Sequence, residues 1–141
     1  MKTDEHQITP EQRAFAESAL HDLPFSKLIG MRLVDLSPGV AKIAIEMRDD
    51  LRQPSGVLHG GVTATLIDTA MAFAVRTHLP IDAATATIDL TVHYLRPHLS
   101  GTFLCTATVV RAGKRIFTVS ADVHNEVGKL IATGISTYTK V

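Results

Sequence analysis

The sequence predicts an α+β fold in which an antiparallel sheet wraps one long central helix. Three observations predict it. The stretch from His59 to about Thr77 is almost wholly apolar, and between Arg52 and Arg76 it holds one formally charged side chain, Asp68. Six runs read as strands, two before that stretch and four after it. The joints between the runs are short and rich in turn residues, which favours antiparallel neighbours over parallel crossovers.

The elements follow in order. Thr9-Pro10-Glu11-Gln12 is a helix start: Thr9 can cap, Pro10 suits the first helical position and Gln12 completes a capping box. That helix runs to about His21, with Phe15, Ala16, Ala19 and Leu20 on its apolar side, and Asp22-Leu23-Pro24 ends it. Pro24 to Gly30 reads as a second short helical turn. Met31 to Leu36 and Val40 to Met47 alternate on either side of Ser37-Pro38-Gly39, a β-hairpin. Arg48 to Gly56 is a polar loop ahead of the long helix. Four strand runs follow, near Ala84–Leu95, Thr102–Arg111, Ile116–Asn125 and Leu130–Lys140. With no repeat or linker, residues 1–141 are expected to form one domain.

Composition excludes several function classes. Lys plus Arg number 14, as do Asp plus Glu, so the formal charge is zero and no nucleic-acid partner is indicated. Near-zero charge is compatible with self-association. The single cysteine, Cys105, permits no intrachain disulfide and sits in an alternating run where a buried, inert thiol is expected. Met1 to Thr9 lacks the apolar core of a signal peptide, and Asp68 interrupts the longest apolar run, so a cytoplasmic protein with no membrane partner is expected. Neither the histidines (His6, His59 and five others) nor Cys105 form a metal-spaced set. No Gly-x-Ser-x-Gly elbow exists for a serine nucleophile.

Chemistry therefore concentrates on the central helix. A helix start presents unpaired N–H groups and partial positive charge, and Gly60 and Gly61 remove the side chains that would keep a ligand away. The turn suits an oxyanion or a phosphate, but no Gly-Lys-Ser/Thr follows, so it is not a phosphate loop. Read structurally, it is a plain turn. Asp68 either faces solvent or is a carboxylate placed on an apolar helix for a purpose. His59 either satisfies a backbone carbonyl or acts directly. Asp68 stands nine residues after His59, about 13 Å along a helix. One subunit cannot easily bring Asp68 against its own Gly60, so a shared site requires two chains with antiparallel central helices.

The stretch Gln53-Pro54-Ser55-Gly56-Val57-Leu58-His59-Gly60-Gly61, with Asp68 nine residues after the histidine, resembles the hotdog-fold acyl-CoA thioesterases of the phenylacetate-pathway (PaaI-like) type. The resemblance runs from about Phe25 to Val141, and Thr87 to Pro97 looks like the strand that follows the helix in that family. It implies hydrolysis of an acyl-CoA to a free acid and CoA by a homo-oligomer, a dimer or a tetramer built as a dimer of dimers. No metal or cofactor is implied, CoA being part of the substrate.

Carried across, Asp68 matches the family's general base or nucleophile, Gly60 the amide that polarises the thioester carbonyl, and His59 the residue that shapes the site, with Gly61 beside them as a substrate-binding candidate. Gln53 stands where many members carry Asn. Thr87 lies where some place a hydroxyl near the carboxylate; otherwise it is only a strand former. Arg111, Lys114 and Arg115 form a basic turn that either meets CoA phosphates or is a solvated hairpin tip, and Arg96 is a lesser phosphate candidate. Met71, Phe73, Val75 and the first helix are expected to shape the acyl pocket. Two rivals stand beside this reading: a hotdog enoyl-CoA hydratase and a non-catalytic acyl-CoA binder.

Overall fold

The computed structural model describes residues 7–141. Residues 1–6, which hold His6 and most of the polar N-terminal stretch, lie outside the described residues.

Helix α1 spans Pro10–Asp22 and opens with the expected capping box. Gln12 N donates to Thr9 Oγ1 at 3.1 Å, and Thr9 N donates to Gln12 Oε1 at 2.9 Å. The Gln12 amide also donates to Leu79 O, so the cap ties α1 to the chain beyond the central helix. Ala16 and Leu20 face the core, while Phe15 stays exposed beneath the Arg76 guanidinium, 4.5 Å from its ring centre. Helix α2, Pro24–Ile29, ends at Gly30, whose φ of 84° favours glycine.

Strands β1 (Arg32–Ser37) and β2 (Val40–Glu46) pair as the expected hairpin. The following loop contains one 3-10 turn, Asp49–Leu51. Helix α3 is Gly60–Arg76, and strands β3 (Thr85–Tyr94), β4 (Thr102–Ala112), β5 (Ile116–Asn125) and β6 (Leu130–Lys140) follow.

All six strands join one antiparallel sheet in the order β1-β2-β4-β5-β6-β3. The sheet is thus a meander through β1–β2 and β4–β6, with β3 carried to the far edge beside β6. This refines the sequential order that short connections suggest. Crossing over beneath α3 lets β2 and β4 pair directly behind the helix.

The concave face of the sheet holds the core. Ala41, Ile43 and Ile45 of β2, Phe103, Cys105 and Ala107 of β4, and Val119, Ala121 and Val123 of β5 point at α3. The helix answers with Leu66, Ile67, Ala70, Met71, Ala74 and Val75. Cys105 is wholly buried as expected, and burial, then the nearby Asp122 charge, pushes its thiol up, away from reactivity.

Gly134 of β6 sets the helix-to-sheet distance: an added Cβ would lie 3.1 Å from Ile67 and 3.3 Å from Thr91 O. Gly134→Leu is expected to lower stability by about 1–3 kcal/mol through overpacking, read as a lower denaturant midpoint. No described helix is long and apolar enough to cross a membrane.

Candidate active site

Asp68 lies two turns into α3, where the helix turns from the sheet toward its open side. The open stripe carries Gly61, Ala64, Thr65, Asp68, Thr69 and Ala72, all exposed or half-buried, at helical spacing. Every one except Asp68 is small and uncharged. Asp68 is itself half-buried, so it is neither a solvated surface acid nor a fully buried one. Among the described residues no cation forms a salt bridge with it; the two ion pairs, Arg48–Asp50 and Arg52–Asp49, lie elsewhere.

Hydroxyls compensate the carboxylate instead. Thr87 Oγ1 donates to Asp68 Oδ1 at 2.8 Å. Tyr138 OH lies 2.5 Å from the same Oδ1 and 2.5 Å from the Asp68 main-chain oxygen. A β-bulge brings these two donors together. Thr87 pairs with Tyr138 and Asp89 with Thr137, which leaves Ile88 as an extra residue on β3. Burial, then the hydrogen-bonded Asp68, pushes the Tyr138 phenol well above its ordinary value, so it stays protonated and able to donate. Sequence reasoning finds Thr87 but not Tyr138. A signal was present: Tyr138 falls on the inward register of β6, where a phenol needs a partner.

The start of α3 forms a second depression. Gly60, Gln53, Leu58, Thr63, Tyr94, Arg96 and His98 line it. Its shape depends on two loops stapled by Arg52, which donates to Gly56 O and Leu99 O, both at 2.7 Å. His98 is buried and meets Phe103 edge-on. Gln53 Oε1 accepts the Ser55 N–H at 2.9 Å, which fixes the amide over this loop.

His59 caps the helix. Its Nδ1 accepts the Gly61 N–H at 2.9 Å, so the ring serves a backbone donor rather than the carbonyl expected of a structural role. This bond occupies the Gly61 amide and assigns the remaining ring proton to Nε2. Among the described residues no acceptor takes the Gly60 N–H, one of the unpaired amides of a helix's first turn.

Tyr94, also missed from sequence, packs against Gly60: its OH donates to Gly60 O at 2.7 Å, and its ring lies 3.3 Å from where a Cβ would stand. A Cβ at position 60 would press on that ring and make it shift.

Within one chain Asp68 and Gly60 line separate depressions. Asp68 shares its own with Ala64, Thr65, Thr87 and Leu90. Arg96 lies at the Gly60 end. Arg111, Lys114 and Arg115 are exposed at the β4–β5 tip, at the opposite end of the sheet from Tyr94 and Gly60. Of the expected pocket residues, Met71 and Val75 are sealed in the core, while Phe73 and α1, through Gln12, Phe15 and Ala16, line a cleft between α1 and the end of α3. Among the described residues no group of three or more His, Cys, Asp or Glu is arranged to hold a metal.

Residues 55–132 match the family model of the thioesterase superfamily. The chain belongs to the thioesterase superfamily. It is a thioester hydrolase with the hotdog fold, of the PaaI-like type. It is 39% identical over 108 residues to a putative esterase of Halobacterium salinarum, covering 73% of this chain and 71% of that one. It is 28% identical over 148 residues to the medium/long-chain acyl-CoA thioesterase YigI of Escherichia coli, covering 93% and 96%. A solved variant of the phenylacetic acid degradation protein PaaI from Thermus thermophilus superposes with a TM-score of 0.77 at 31% identity, covering 84% of this chain and all of that one.

Proposed function

We propose that this thioesterase hydrolyses acyl-CoA to a free acid and CoA at a site shared by two subunits. The observation that carries the reading is Asp68 itself, a carboxylate held through one oxygen on the otherwise small-residue stripe of α3. Asp68 takes a proton from water as the water oxygen bonds to the thioester carbon. The Gly60 N–H of the second subunit receives the oxyanion that forms. The C–S bond then breaks, and the departing thiolate recovers the proton from Asp68. In the alternative order Asp68 attacks the carbonyl carbon directly, the C–S bond breaks to release CoA as its thiolate, and water then cleaves the resulting anhydride, its released proton neutralising the thiolate. Heavy oxygen in Asp68 after a single turnover in heavy-oxygen water identifies the anhydride route with water attacking the aspartyl carbonyl, since general-base hydrolysis labels only the released acid.

Two features support the shared site. Small residues on the open stripe of α3 permit a second helix to approach closely. No residue of the edge strand β3 is buried, and Ile88 and Tyr94 on it are more than half exposed. An antiparallel partner would bring the partner's Gly60 to Asp68 and give two equal sites. His59, Gln53 and Gly61 shape the approach to Gly60. Arg96 and the Arg111–Lys114–Arg115 turn offer cations to the CoA phosphates from the two ends of the sheet.

The test is purified protein with aryl and short-to-long aliphatic acyl-CoAs, with released CoA followed by a thiol reagent. Turnover that depends on Asp68 is expected. No thioester cleavage, or tight binding without turnover, would overturn the reading, as would water addition to an enoyl-CoA in its place.

A further inference from the structure

The fold treats the two carboxylate oxygens of Asp68 differently. Oδ1 receives both Thr87 Oγ1 and Tyr138 OH, while no described donor reaches Oδ2. We infer that Tyr138 is a positioning residue for the hydrolysis: with Thr87 it pins Oδ1 and so makes Oδ2 the reacting oxygen. The inference rests on the proposed catalytic role of Asp68.

The register of β3 argues that the arrangement is built rather than incidental. Regular pairing outward from Asp89↔Thr137 would set Ile88 opposite Tyr138. The bulge moves Thr87 into that place, which exchanges an isobutyl-sized apolar side chain for a hydroxyl on the carboxylate. A tyrosine 1% exposed in the core would be satisfied by the Asp68 main-chain oxygen alone. Its hydroxyl instead sits within reach of both that oxygen and Oδ1. A carboxylate held by two donors on one atom loses rotation about its terminal torsion, which is otherwise broad. It also keeps its other atom free for water or the thioester carbon.

Tyr138→Phe keeps the buried ring and removes only the hydroxyl. It is to be compared with wild type and Asp68→Asn in acyl-CoA hydrolysis followed by thiol release, together with thermal melting. The expected result is a fall in kcat of about 10–100-fold from lost positioning, with KM nearly unchanged.

Thr87→Val removes the other donor without touching the core and is expected to lower kcat in the same way with KM nearly unchanged, whether or not Tyr138→Phe folds. Unchanged kcat in both variants, with Asp68→Asn inactive, overturns this inference and leaves the catalytic reading standing. So does a loss of melting temperature with full kcat per folded molecule. A fully active Asp68→Asn overturns both.

Discussion

Asp68→Asn is expected to lower kcat by about 10²–10⁴-fold, the span of general acid–base catalysis, while the protein stays folded. The substitution is close to isosteric. Its amide can still accept from Thr87 and Tyr138 through one oxygen, so the hydrogen bonds that tie α3 to β3 and β6 persist. What vanishes is the basic second oxygen, whichever of the two routes it serves. Steady-state kinetics on the best substrate, with a melting curve on the same preparation, makes the check. Activity within a few-fold of wild type would remove Asp68 from the chemistry.

A larger gain is expected from mixing two crippled variants. Asp68→Ala lacks the carboxylate, and Gly60→Val blocks the helix start by pressing on the Tyr94 ring. Losing an oxyanion donor costs about 10²–10³-fold, so both parents should be nearly silent. If each site takes Asp68 from one chain and Gly60 from the other, every mixed dimer regains one intact site and keeps one doubly damaged. At equal concentrations with random exchange, about a quarter of the wild-type sites return by symmetry. Refolding the two together from denaturant, and measuring thiol release before and after, tests this. No recovery, with mixed dimers demonstrated by differently tagged chains, would mean that each subunit works alone.

Much of this site was legible before any coordinates. Pattern, capping and turn signals located the helices and strands, though not the 3-10 turn at Asp49–Leu51, because α3 and most of the strands bury faces at their own characteristic repeats. Asp68 stood out because it interrupts an apolar helix, and the helix rise alone separated it from Gly60. Three features were not legible, each for a physical reason. The place of β3 at the far edge depends on pairing between distant segments, which local pattern does not encode. The cap by His59 was hidden because an imidazole can accept as well as donate, and the sequence does not fix the tautomer. Tyr138 was hidden because an inward aromatic in a strand reads as core, and the bulge at Ile88 that sets Thr87 opposite it leaves no mark in composition.

The span between Tyr138 and Asp68, 70 positions along the chain, has a kinetic meaning. Helix α3 can form from local contacts in about a microsecond, but its carboxylate acquires its clamp only when β6 and the bulged β3 have docked. During refolding, circular dichroism should therefore report the helix well before thioester cleavage returns. The delay would time the closing of the longest loop in the site. Catalytic competence is therefore expected to be a late event of folding, set by the last strand rather than by the helix that bears the acid.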